Sequence, residues 1–323
     1  MNSPFETINT YLNFLNQQII GQSALTKRLF VALLADGHLL VEGAPGLAKT
    51  TAIKALADGL QGDFHRVQFT PDLLPADLTG TEIYRPQDSS FHFQQGPLFH
   101  NLLLADEINR APAKVQSALL EAMGERQITV GRTTYPLPKL FLVMATQNPI
   151  EQEGTYPLPE AQLDRFLMHI NISYPDIESE KKILQLVRKQ ALSVDEVSME
   201  RPQDITQEMI FSARDSVLNL HMSDTIEEYI VQLIAATRNP LSYGDDIANW
   251  VMYGASPRGT ISLDRCARAN AWLSGRDYVA PEDVQDVAAD VLRHRILLSF
   301  EAEAEGITAD RFIEELINRV PVP

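Results

Sequence analysis

Cysteine is almost missing from this chain. Cys266 is the only one in 323 residues, so no disulfide can form within the chain and no cysteine-based metal site can be built. It sits in RCARANAW, where a small buried apolar residue is the expected role. Long apolar runs are missing too. None approaches the ~18 residues that span a bilayer, and the opening MNSPFETINT lacks a basic segment followed by an apolar one. No membrane insertion is expected, and the cytoplasm is the expected compartment. The third absence is a block of Lys and Arg. There are 43 acidic residues against 27 basic ones, a formal charge of −16, and that balance repels nucleic acid unless basic groups converge in space. What remains is ordinary: 45% hydrophobic and 22% charged residues exclude disorder, and the length suits about two domains at ~150 residues each.

One stretch organises the rest, VEGAPGLAKTTAI at residues 41–53. The apolar run His38-Leu39-Leu40-Val41 predicts a strand that stops at a glycine-bearing loop, and residues 49–60 have helical period. The loop matches G-x-x-x-x-G-K-[ST] except that Ala48 stands where the last glycine is expected. In such a loop the backbone of Gly43, Ala44, Pro45, Gly46, Leu47 and Ala48 curls N–H groups around phosphate oxygens, and the helix opened by Lys49, Thr50 and Thr51 adds its dipole. Lys49 would reach the β and γ phosphates of a nucleotide, and Thr50 would offer its hydroxyl to a magnesium ion bridging them.

Upstream, residues 4–36 read as two helices broken at Gly21, where a nucleotide base could be gripped or where an ordinary helix–helix turn stands. Downstream, residues 64–69 alternate as a short strand. Residues 70–99 carry four prolines from Pro71 to Pro97 and no sustained helical period, with alternation at 81–84 and 91–93 about the polar segment 87–90 predicting a projecting hairpin. Residues 127–137 predict a second hairpin turning at Gly131.

The second chemical centre is LLLADE. A wholly apolar, buried strand ends in Asp106 and Glu107, at the strand end where doubly wound sheets bind ligands. Asp106 would hold magnesium, directly or through water, and Glu107 would orient and deprotonate a water. Residues 140–144 repeat the pattern, a buried strand with a polar tip, where Asn148 could bond the water or the γ phosphate, or serve plain turn chemistry before Pro149. A short helix at 159–166 and a last strand at 168–172 follow, and then the character changes. Residues 177–190, 207–220, 226–238, 259–274 and 281–294 read as helices with no strand among them. Arg258 begins one of these helices, an unfavourable place for a cation on dipole grounds, so it either meets something anionic or is solvated.

In this order GAPGLAKT, LLLADEINR, MATQNP, LPEAQLDRF and ASPRG resemble the MoxR family of AAA+ ATPases over nearly the whole chain, roughly residues 19–294. Ala48 fits that family's GxPGxAKT variant. The resemblance implies an α/β fold: an AAA+ P-loop NTPase core with a five-stranded parallel sheet in an αβα arrangement over residues 1–176, then an all-helical lid over 177–323, with no accessory domain after it. It implies ATP and Mg²⁺ as cofactors, Lys49 and Thr50 in Walker A, Asp106 and Glu107 in Walker B, Asn148 as sensor 1 and Arg258 as sensor 2. Arg165 resembles the arginine finger placed in a neighbour's site, with Arg110 and Arg126 as alternatives. The active form implied is a ring, a hexamer, with residues 70–99 and 127–137 as helix-2 insert and pre-sensor 1 hairpin at its pore. The activity implied is that of a chaperone remodelling or maturing partner complexes, frequently client proteins with von Willebrand factor A domains, including metal-cofactor insertion. Two other functions are weighed: an ATP-gated binding switch without obligatory turnover, and a DNA-acting motor, against which the acidic balance argues.

Overall fold

The structure, a computed structural model, describes residues 3–87, 89–149, 154–192 and 201–323. Asp88, within the expected turn of the first hairpin, lies outside the described residues. Five strands make the central sheet: β1 (Leu39–Gly43), β2 (Phe64–Gln68), β3 (Leu102–Asp106), β4 (Leu142–Gln147) and β5 (Met168–Ile172), in the order β5-β1-β4-β3-β2. Phe64 pairs with Leu102 and Gln68 with Asp106 in parallel register, and Leu102 pairs in turn with Leu142. Every residue of β3 is buried, as are all but the last of β4, the signature of strands covered on both faces. Parallel strands also require crossovers, and helices supply them. The loop after β1, the acids closing β3 and the tip of β4 therefore all fall at carboxyl ends of strands.

By packing, the chain divides into two compact units. One comprises Met1–Phe30, Val41–Tyr156 and Asn171–Ala213; the other comprises Val31–Leu40, Pro157–Ile170 and Arg214–Pro323.

In the first unit, helix Pro4–Gln18 starts with a reciprocal cap: the Ser3 hydroxyl accepts from the Glu6 backbone N–H, and the Glu6 carboxylate accepts from that of Ser3. Its Tyr11 donates a 2.9 Å hydrogen bond to the Ala55 carbonyl in helix Lys49–Asp58 and lies against Gly59, where any side chain would collide with its ring. Both expected hairpins form, Gly80–Arg85 with Ser90–Gln95 and Gln127–Val130 with Thr133–Pro136. They touch through Phe93 and Tyr135, whose rings stack with centroids 4.1 Å apart. A short helix, Pro75–Thr79, precedes the first hairpin where the sequence showed no helical period; five residues are too few to display one. The Asp77 carboxylate caps its start by accepting from the Leu74 N–H at 2.8 Å.

The second unit holds the helices Asp224–Arg238, Pro257–Leu273 and Pro281–Leu292. Each buries one apolar stripe, such as Val284, Val287, Ala288 and Val291 on the last. Here the sequence reading needs correction: the region is not wholly helical. Val251–Tyr253 pairs antiparallel with Leu297–Leu298, a ladder too short for period-2 alternation to reveal. Helices Phe300–Ala304 and Ala309–Arg319 follow, the latter burying Phe312, Ile313 and Leu316.

Candidate functional site

A cavity of about 420 Å³ opens at the carboxyl ends of the strands in the first unit, lined by residues 45–51 together with Arg66, Asp106, Glu107 and Asn148. The chain turns through Gly46 at φ 84° and Ala48 at φ 58°. Position 48 is thus left-handed, which explains why the general pattern has glycine there. Alanine accepts the same backbone at a cost of about 1–2 kcal/mol. Gly43 is required for another reason, since a side chain there would press on the Ile172 carbonyl at 2.9 Å. The Lys49 ammonium donates to the carbonyls of Gly43 at 2.6 Å and Gln147 at 3.4 Å. It is held over the loop by backbone oxygens that an anion would outbid. Thr50 and Thr51 also line the cavity.

Across from the loop stand the two acids. Asp106 is 9% exposed, and both of its oxygens are engaged. Thr146 donates its hydroxyl to Oδ1 at 2.6 Å, while Arg66 donates to Oδ2 from Nη2 at 2.6 Å and Nε at 3.1 Å. The same Thr146 oxygen accepts from the Glu107 backbone N–H at 3.0 Å. This clamp accompanies a left-handed backbone at Glu107, φ 57° and ψ 52°, a conformation that costs a non-glycine residue energy and clusters at functional sites. The Glu107 carboxylate accepts from Gln68 Nε2 at 2.6 Å and pairs with Arg110 at 3.2 Å. Asn148, just past β4, is buried to 6% exposure. Loop, acids and Asn148 are therefore brought together. Gly21 is not in the lining. It makes the turn between helices Pro4–Gln18 and Ser23–Leu34 at φ 80°, where a side chain would press on Pro175 at 3.0 Å. Gly43 and Ala44 are not in the lining either.

The two remaining candidates belong to the second unit. Arg165 follows the single turn Glu160–Leu163, shorter than the sequence suggested. Arg258 is the second residue of helix Pro257–Leu273, whose Ser256 cap accepts from the Arg258 N–H at 3.1 Å. The exposed Arg258 guanidinium lies 3.8 Å from the Asp164 carboxylate. Asp164 also accepts from Ser256 Oγ and from Arg295 Nε, each at 2.9 Å. Arg295 continues to the Phe166 carbonyl at 2.7 Å and Ser262 Oγ at 3.2 Å.

Arg66, Gln68, Thr146, Asp164 and Arg295 escaped the sequence reading. A signal existed for the first two. In FHRVQF the alternation that marks β2 puts residues 66 and 68 on one face, and the parallel register sets Gln68 beside Asp106. Thr146 and Arg295 carry no signal of their own, because their roles depend on neighbours distant in sequence.

Geometry of this kind defines an AAA ATPase, and sequence comparison agrees: residues 38–168 match the family described as "ATPase family associated with various cellular activities (AAA)", and residues 247–316 match the AAA lid domain. The chain is 46% identical over 312 residues to Chaperone MoxR1 of Mycobacterium tuberculosis, covering 94% of this chain and 79% of that protein. It is 35% identical to Protein MoxR of Paracoccus denitrificans, covering 96% and 94%. A solved structure from Cytophaga hutchinsonii, described as a candidate ATPase, superposes with TM-score 0.90 at 46% identity over 99% of this chain and 96% of its own. The chain belongs to the MoxR family of AAA+ ATPases. No described helix is long and apolar enough to cross a membrane.

Proposed function

We propose that this ATPase works as a MoxR-type chaperone, assembled as a closed hexameric ring, that remodels or matures partner protein complexes. The observation that carries the chemistry is the shared cavity, in which the glycine loop with Lys49 and Thr50 faces Asp106, Glu107 and Asn148. Lys49, already held over the loop by the carbonyls of Gly43 and Gln147, exchanges them for β and γ phosphate oxygens. Thr50 and Asp106 offer two hard oxygen donors on one cavity, which fits a magnesium ion taking its other ligands from phosphates and water. Bound there, the ion would draw charge from the phosphate oxygens. Glu107 orients the attacking water and takes its proton, Asn148 holds that water or the γ phosphate, and Arg258 reads the γ phosphate from the lid. Arg165 of an adjacent subunit supplies the cation that completes the site.

The name of the relative Chaperone MoxR1 supports the chaperone role. So does the first hairpin, which leaves Ile83, Tyr84 and Phe91 43%, 50% and 67% exposed, an apolar surface suited to another protein. A client with a von Willebrand factor A domain, and metal insertion into it, is the finer reading. Nucleotide binding is tested with Lys49→Ala. The expected result is loss of ATP affinity in a binding titration, and retained affinity would remove the loop from the mechanism. The ring is tested by mixing. Arg165→Ala and Lys49→Ala subunits, each inactive alone, should regain part of the ATPase rate together, because a finger acting across subunits needs only one intact donor and one intact acceptor. Inactivity at all ratios would exclude Arg165 as that finger.

A further inference from the structure

Asp106, the carboxylate assigned to the metal, is not waiting open. Its Oδ2 is capped by two N–H groups of Arg66, at 2.6 and 3.1 Å, and its Oδ1 accepts from Thr146. A buried carboxylate needs a compensating charge, and in this structure Arg66 supplies it. A divalent cation brought to the same oxygen would set two positive groups against each other where water screens them poorly. One of them has to leave. Arg66 is built to be the one: its side chain is 50% exposed, so swinging outward brings its charge into water rather than into the core. Its Nη2 is also hydrogen-bonded to Gln68 Oε1 at 3.2 Å, a second hold away from Asp106.

We propose that Arg66 is a resident counter-ion of Asp106 that a divalent cation must displace, so that metal binding here is an exchange rather than an addition. This rests on the ATPase reading of the site and adds an order to it. The free cation is discriminated against, whereas a cation arriving on a nucleotide brings phosphates that give the released guanidinium an anionic partner. Arg66 is then a positioning residue whose presence sets metal affinity.

The test uses the full nucleotide-free chain and Mn²⁺ as the probe, with free Mn²⁺ followed by electron paramagnetic resonance. Arg66→Gln should bind Mn²⁺ about tenfold more tightly than the unaltered protein, the change that removing one competing contact of ordinary strength gives. Arg66→Lys keeps the charge but loses the two-pronged grip and should fall between them. If Arg66→Gln does not fold, judged by thermal melting, Arg66→Lys alone decides the matter by the same sign. The gain must vanish when Asp106→Asn is added. Unchanged or weaker Mn²⁺ binding, or a gain that survives Asp106→Asn, overturns the proposal. Failure of the underlying site reading shows separately, as metal-free nucleotide affinity that is indifferent to Lys49→Ala.

Discussion

Glu107→Gln should leave ATP binding intact and slow hydrolysis by about 10²–10⁴-fold, the usual contribution of a positioned general base. The substitution is nearly isosteric. The left-handed backbone and the N–H bond to Thr146 do not involve the carboxylate, so the geometry of the loop opposite is preserved. What is lost is the ability to accept the water's proton. Steady-state phosphate release measured beside nucleotide affinity separates the two effects. Undiminished turnover would displace Glu107 from the role, and reduced affinity would mean that it helps to bind nucleotide as well. Because the variant stalls with ATP in place, it is also a suitable bait for the client. Partner release driven equally by ATP and by a non-hydrolysable analogue would favour the binding-switch reading.

The second large effect concerns stability. Arg295 has a side chain only 2% exposed, and its carboxylate partner is Asp164 at 2.9 Å. Burial pulls the Arg295 guanidinium below the ordinary arginine range, and Asp164 is the main influence opposing that shift. Asp164→Ala therefore strands a buried charge, and the expected loss is about 3–5 kcal/mol of folding free energy. Carbonyls such as that of Phe166 still accept from Arg295, which places the loss toward the lower end. Pairing Asp164→Leu with Arg295→Met should recover most of it, since the cost lies in the unpaired charge rather than in the missing bridge. Chemical denaturation of the single and paired variants measures this directly. A single variant as stable as the parent would mean that water reaches Arg295. Asp164 also precedes Arg165 in the chain and lies 3.8 Å from Arg258, so the ATPase rate of the paired variant tests whether the two arginines proposed to meet the γ phosphate need this carboxylate.

Much of the architecture could be read from residues alone, for identifiable reasons. Three strands of the core, β1, β3 and β4, are short apolar runs ended by polar tips, and each tip carries a chemically distinctive residue: the loop before Lys49, the acids at 106 and 107, and Asn148. Ala48 departs from the general pattern and fits the GxPGxAKT variant, and its φ of 58° gives the general preference for glycine as a backbone requirement that alanine meets with strain. The side chains that hydrogen-bond the acids were far less legible. Thr146 and Arg66 meet Asp106 only because strand order lays β2 and β4 on either side of β3, and spacing along a chain does not carry that information. The ladder Val251–Tyr253 with Leu297–Leu298 was hidden by its brevity.

Strand order bears on biosynthesis as well. β1 leaves the ribosome early, yet both of its neighbours in the sheet, β4 and β5, are translated much later. At ~5–20 residues per second the wait for β4 is roughly 5–20 s, during which Leu39, Leu40 and Val41 have no partner strand. A nascent or truncated chain ending before residue 142 would carry the entire glycine turn and both acids and still lack Asn148 and the strand that lies between β1 and β3. ATP can therefore meet the complete cavity lining only after β4 has emerged, and until then it offers the newborn chain no stabilisation through that site.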